Sequence, residues 1–252
     1  MKKAFKGAWL AAMMSLPWTA GARAQAPADV GAQCRPADME KTIFLMKKNP
    51  ARTDADFADH YIHHHAPLGK KLTTNLKGYT VNIVQNKAAG DPNAVTEHWV
   101  PRAVHLLTPY IANATKEDFK QVLVDDQSLF SGFDLYVVQK EQVVLAGEAL
   151  ASPLGEETPE VKTILVYPSA ADLPAPPKGA RRVVDNFVSH KLVYANVSYN
   201  QLNMPFWEKA PTDVAVFRTI WSKAPVKVDG VRTLTLKEYR QIIAPAPGWC
   251  TN

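Results

Sequence analysis

Residues 53–68 read Thr-Asp-Ala-Asp-Phe-Ala-Asp-His-Tyr-Ile-His-His-His-Ala-Pro-Leu, and their periodicity anchors the reading of the chain. Thr53 is a good N-cap, and Asp56 three residues later completes something close to a capping box. Pro67 disfavours helical backbone at Ala66, so the pattern predicts a helix over 54–65. At about 100° per residue, Phe57, Tyr61, His65, Ala58, Ile62 and Ala55 share one arc, while Asp59, His63, Asp56, His60 and His64 fill the other. Of the histidines in this stretch, His65 alone points into the apolar face.

Strand and helix patterns alternate around this helix. Residues 41–46 form a short apolar strand before it. Residues 78–85, where Tyr79, Val81 and Ile83 alternate with Thr80, Asn82 and Val84, and residues 94–100 form two strands after it. Thr115 caps a second helix, with Asp118 at the box position and Phe119, Val122 and Leu123 at helical spacing. Residues 133–145 make a fourth strand rich in β-branched side chains. The order β-α-β-β-α-β is the ferredoxin-like split unit, whose helices cover one sheet face and leave the other in need of a partner.

The second half offers that partner. Beyond a linker at 149–160, residues 162–167 repeat the first strand, Thr163-Ile164-Leu165-Val166 standing against Thr42-Ile43-Phe44-Leu45. Tyr194-Ala195-Asn196-Val197 echoes Tyr79-Thr80-Val81-Asn82. Residues 213–221 and 231–242 read as a hairpin turning at Asp229-Gly230. Pro174, Pro176 and Pro177 leave room only for a short helix over 180–189. The expected fold is therefore α+β: two ferredoxin-like units, 38–148 and 161–245, packed sheet to sheet, the second degenerate and poor in helix.

The N-terminus has the form of a secretory signal: basic Lys2, Lys3 and Lys6, an apolar run over 8–16, and Ala22-Arg23-Ala24 as a cleavage site. Cleavage at that site leaves a mature chain, expected to be periplasmic or secreted. The run is too short to span a bilayer, and no later segment approaches the ~20 apolar residues a membrane helix needs. Residues 1–24 hold four of the 29 basic residues and none of the 24 acidic ones, so the formal charge of +5 falls to +1 once they are removed. That balance gives no support to nucleic-acid or membrane-surface partners. Cys34 and Cys250, an even pair in an oxidising compartment, read as a disulfide.

The pattern F-x3-Y-x3-H-x-P-L, formed by Phe57, Tyr61, His65, Pro67 and Leu68, resembles the EthD family of the dimeric α/β-barrel superfamily. The resemblance extends over residues 40–145, through Lys77-Gly78-Tyr79, Glu97-His98-Trp99 and Asp125-Asp126 ahead of Phe130. It implies a cavity between sheet and helices that admits a small hydrophobic or aromatic molecule. It also implies an intrachain barrel in which the second half replaces the partner chain of single-unit relatives; further pairing into a homodimer stays open. Relatives in that superfamily include cofactor-free monooxygenases, cyclases, dehydratases, haem enzymes and proteins without known catalysis.

His65 is the candidate acid/base, because an imidazole beside an apolar cavity can move a proton near neutral pH. Tyr61, one turn earlier, could donate to a developing oxyanion. The alternative is that His65 hydrogen-bonds a neighbouring strand and only ends the helix. Phe57, Tyr79, Glu97, Trp99 and Trp221 are candidates to line the substrate site. Glu97 could orient His65, or serve as a cross-strand partner. Asp125 and Asp126, placed after the second helix, are turn formers or site groups. His60, His63 and His64 have metal-ligand spacing but lack a dedicated carboxylate, and are taken as a solvated polar face. No phosphate loop, nucleotide fingerprint, nucleophile elbow or H-E-x-x-H helix occurs, so no cofactor or metal is called for. The expected activity is proton-transfer chemistry of the lyase, dehydratase or cyclase type. Cofactor-free oxygenation and simple ligand binding are the alternatives.

Overall fold

Each half of the chain offers two open sheet edges, and the halves satisfy one another by sharing them. The computed structural model describes residues 35–36, 38–107, 112–171, 173–195 and 206–250. The strands, in chain order, are β1 (Arg35–Pro36), β2 (Glu40–Lys48), β3 (Gly78–Gln85), β4 (Ala94–Val100), β5 (Phe130–Leu145), β6 (Val161–Tyr167), β7 (Ala180–Ala195), β8 (Phe206–Ala210), β9 (Val216–Ser222), β10 (Arg232–Ile242) and β11 (Trp249–Cys250). The first half is ordered β5-β2-β4-β3 and the second β10-β6-β9-β7; antiparallel pairs β3–β10 and β5–β7 close these eight strands into a barrel. In both halves the order is fourth, first, third, second. β1 and β11 pair in parallel beside β5, bringing the first and last described residues together.

The registers of the two halves correspond. Lys41 and Gly78 flank Trp99 as Lys162 and Arg182 flank Trp221. Asn82 Nδ2 donates to the Val95 carbonyl at 2.8 Å, and Asn186 Nδ2 donates to the Phe217 carbonyl at 2.8 Å.

Because side chains alternate across a strand, closure creates an inner and an outer layer. Ile43, Leu45, Val95, Trp99, Ile164, Phe217 and Leu236 pack inside the barrel. Phe44, Met46, Tyr79, Val81 and Leu135 face outward beneath the helices, against Phe57, Tyr61, Ile62 and Ala66. No described helix covers the outer face of the second half. There Leu165, Val183, Val216 and Ile220 pack beneath loop residues including Leu173, Val226 and Val228. Buried Arg218, paired with Asp185 at 2.7 and 2.8 Å, also donates to the Pro174 carbonyl and so pins the proline-rich segment over this face.

Four expectations are corrected. The first helix does not end at His65: α1 (Asp54–His60) runs through a π turn (Tyr61–His65) into α2 (Ala66–Leu72). In the π turn the Ala66 N–H reaches back five residues to the Tyr61 carbonyl. The wider turn removes the need for an N–H at Pro67 and relieves the ring's clash with the His63 carbonyl. Residues 180–189 are not helical but belong to β7, whose alternating Val183, Asp185 and Phe187 against Val184, Asn186 and Val188 is a strand pattern. β9 and β10 form no hairpin, since β6 lies between them. Asp125 and Asp126 do not follow the second helix but occupy the last turn of α3 (Lys116–Leu129). Both predicted N-caps form: Thr53 Oγ1 accepts from Asp56 N, and Thr115 Oγ1 from Asp118 N, each at 3.1 Å. Residues 1–24, Cys34 and the Cys250 side chain lie outside the described residues, so the signal and disulfide readings fall there too. No helix among the described residues is long and apolar enough to cross a membrane.

Candidate functional site

Between the helices and the outward face of the first-half sheet lies a cavity of about 300 Å³. Phe44, Met46, Tyr79, Thr96 and His98 form its floor; Tyr61, His65, Asp126 and Phe130 rise from the helical side. The π turn keeps Tyr61, Ile62, His65 and Ala66 all buried, which places the Tyr61 and His65 rings 5.2 Å apart on the cavity wall.

His65 is 7% exposed, and its Nδ1 lies 2.7 Å from Asp125 Oδ2. His60 Nε2 takes the other oxygen, Asp125 Oδ1, at 2.8 Å. Hydrogen bonds from His65 and His60 hold the Asp125 carboxyl down at about 2 against its partial burial, so it is ionised and can only accept. The Nδ1–H of His65 therefore donates to Asp125, fixing the ring and leaving Nε2 on the far side. Nε2 meets Asp126 Oδ1 at 3.5 Å. Burial and the neighbouring Asp125 carboxylate push Asp126 above the ordinary carboxylate value, with His65 opposing. Two acids in the last turn of α3 oppose its dipole, and the two histidines of the adjacent helix offset that cost.

Across the cavity the Tyr61 hydroxyl is in short contact with Thr96 Oγ1 and hydrogen-bonds the Tyr79 hydroxyl. Burial holds both phenols above their usual value, so they stay protonated as donors. His98 stacks on Tyr79 with ring centroids 4.6 Å apart and 16° between planes. Burial, then the nearby His65, push His98 down to about 3, and its buried Nδ1 has no partner among the described residues. The site thus offers one anchored imidazole, one carboxyl of raised affinity for protons, a phenol pair and a neutral imidazole around an apolar hollow.

The other candidates divide. Tyr79 lines this cavity, whereas Phe57 packs behind Tyr61 at 5.7 Å between ring centroids and supports it from the core. Glu97, Trp99 and Trp221 line a separate cavity of about 220 Å³ inside the barrel. Glu97 therefore does not orient His65; it is 2.8 Å from Lys41, also bonded to Lys162, and accepts from Asn82 at 3.1 Å. Burial would raise its carboxyl, but the two lysines hold it well below the carboxylate range. His63 and His64 are exposed, as the polar-face reading required, but His60 is engaged with Asp125. Among the described residues no cluster of three or more His, Cys, Asp or Glu is placed to hold a metal ion. Sequence reasoning missed the roles of Thr96 and His98, and left Asp125 open between a turn former and a site group. Strand alternation separated His98 from Glu97 but could not say which of them meets the helices.

No family model matches the chain, and no curated protein matches it. Solved structures similar to it include a Lactobacillus acidophilus protein with a provisional monooxygenase assignment (9% identity, TM-score 0.41, covering 85% of this chain and 99% of that one). An anthrone oxidase-like protein is similar at 9% identity and TM-score 0.38, over 82% of this chain and 96% of its own. A mutant chlorite dismutase from Candidatus Nitrospira defluvii is similar at 10% identity and TM-score 0.36, over 80% and 92%. Likenesses this distant say nothing about which reaction the cavity supports.

Proposed function

We propose that the protein is an enzyme that moves protons on a small hydrophobic or aromatic carbonyl or phenol without a cofactor, in a lyase, dehydratase or cyclase type of reaction. One observation carries the reading: His65 is anchored through Nδ1 to an ionised carboxylate while Nε2 stands at the wall of an apolar cavity. Such an imidazole is pre-oriented as a general base, and Asp126 beside it can exchange the proton onward. Tyr61, kept protonated by burial, is placed to donate to an oxygen that gains charge. A π turn at the base-bearing residue fits the tendency of such turns to occur at working sites.

The EthD-like assignment belongs to this proposal, as does reading the halves as two ferredoxin-like units, the second without helices. Support comes from the strand order shared by both halves and from Phe57, Tyr61 and His65 on one helical face. The test is deuterium incorporation at the methyl group of acetophenone in heavy water, followed by proton NMR. Exchange faster than in buffer alone supports the base; acetophenone binding with exchange at the buffer rate makes the protein a binder instead.

We also propose export with cleavage after Ala24 and a Cys34–Cys250 disulfide. The parallel pairing of Arg35 with Trp249 and Pro36 with Cys250 supports the disulfide by drawing residues 35–36 against 249–250. Intact mass of the protein recovered from periplasm should match residues 25–252 less two hydrogens. A mass that includes the leader, or one with both thiols free, rejects the corresponding half of this proposal.

A further inference from the structure

We infer that the interior of the barrel holds a second ligand site, separate from the helix-side cavity, built for a compact monocarboxylate with a flat apolar body. The two halves correspond residue by residue around this interior. Lys41 and Lys162 hold equivalent places, as do Asn82 and Asn186, and Trp99 and Trp221. Each lysine is bonded to a glutamate late in its own half, Lys41 to Glu141 at 2.7 Å and Lys162 to Glu238 at 3.0 Å.

The correspondence breaks at three charged positions: Glu97 adds a negative charge, and Arg182 and Arg240, the latter standing where the first half has Val143, each add a positive one. Opposite Ile43 the first half places Glu97; opposite Ile164 the second places Thr219. Opposite Trp99 the first half places Gly78, where a Cβ would come within 2.8 Å of the indole; opposite Trp221 the second places Arg182. Lys41, Lys162, Arg182 and Arg240 thus face Glu97, Glu141 and Glu238 around one cavity, leaving a single positive charge unbalanced. Glu160, close enough to act on Arg182, is itself within 3.5 Å of Arg181 and leaves that balance unchanged.

The surplus charge is localised. The Arg182 guanidinium carbon lies 3.6 Å from the centre of the Trp221 ring, and its buried Nε has no acceptor among the described residues. Trp99, 5% exposed, lines the same cavity with its buried Nε1–H equally without an acceptor. A buried donor without an acceptor costs about 1–3 kcal/mol, more when charged, and a carboxylate in the cavity would supply the counter-charge that Arg182 lacks. The two indoles, with Ile243 and Pro245, supply apolar walls for the ligand's body.

Isothermal titration with sodium benzoate, and with benzamide as its neutral isostere, tests the site. Benzoate should bind one per chain, and benzamide at least about tenfold more weakly. Arg182→Met should weaken benzoate by a similar factor while keeping the fold without ligand, since Arg182 is only half-buried and no carboxylate is bonded to it among the described residues. His65→Gln should leave benzoate binding unchanged, because His65 lines the other cavity. Absent saturable benzoate binding, equal affinity for benzamide, or a loss that follows His65 rather than Arg182 would each overturn the inference. Should Arg182→Met fail to fold, the contrast between the two ligands on the unaltered protein decides it alone.

Discussion

The Nδ1 of His65 lies 2.7 Å from Oδ2 of Asp125, and this pair joins the two helices that wall the cavity. A carboxylate held at about 2 by its histidine partners stays ionised across the physiological range, so it sets the imidazole's tautomer as well as its position.

Asp125→Asn should therefore damage exchange more than folding. The amide can accept at one atom only and can present a donor to Nδ1, turning the lone pair away from the cavity. Acetophenone exchange is expected to fall by about tenfold or more, with the thermal midpoint lowered modestly, and NMR of the His65 ring nitrogens should report the altered tautomer. Unchanged exchange would show that His65 needs no anchoring carboxylate.

Asp125 and His98 lower stability towards acid, while Asp126, raised to about 6 chiefly by burial, works against them because the folded chain binds its proton more readily than the unfolded one. Asp125 is depressed to about 2, first by the His65 hydrogen bond, so its stabilisation is complete above the unfolded value near 4 and is lost as pH falls through about 2. His98 is depressed to about 3, first by burial, so the unfolded chain binds this proton more readily and the penalty grows from about pH 6.5 downward. Between pH 6.5 and 5 that penalty is about 2 kcal/mol. Over this interval urea midpoints of the unaltered protein should fall relative to those of His98→Phe, which keeps the ring stack on Tyr79 but cannot take a proton, while Asp126 moves both proteins the other way by the same amount.

Two glycines should respond oppositely to alanine. A Cβ on Gly69 in α2 would meet Tyr79 no closer than 3.9 Å, so Gly69→Ala should gain up to about 1 kcal/mol of helix stability while narrowing the helix-side cavity. A Cβ on Gly78 would press within 2.9 Å of the Ala244 backbone as well as against Trp99, and should cost about 2 kcal/mol or more. Denaturant midpoints of the two variants check both signs.

What was legible in the sequence was local. Thr53 and Thr115 named their helices, alternation in residues 78–85 named a strand, and helical periodicity picked out His65 as the inward histidine. Three features were hidden because they depend on partners distant in the chain. Lys41, Glu97, Lys162 and Glu238 look like surface charges on half-buried strands, but a closed barrel buries both strand faces and the four neutralise one another inside it. The prolines ahead of residue 180 suggested a broken helix, whereas Arg218 fastens that segment down as a lid over β7 and β9. Pro67 looked like a helix terminator because its effect was judged against α geometry, and the π turn removed the conflict.

If His65 transfers protons on a ligand held in the helix-side cavity, His65→Gln measured for binding and exchange on the same sample must separate the two. Acetophenone affinity should stay within about twofold of the unaltered protein and exchange should slow by about 100-fold. Exchange at the unaltered rate in a folded His65→Gln protein would contradict that role.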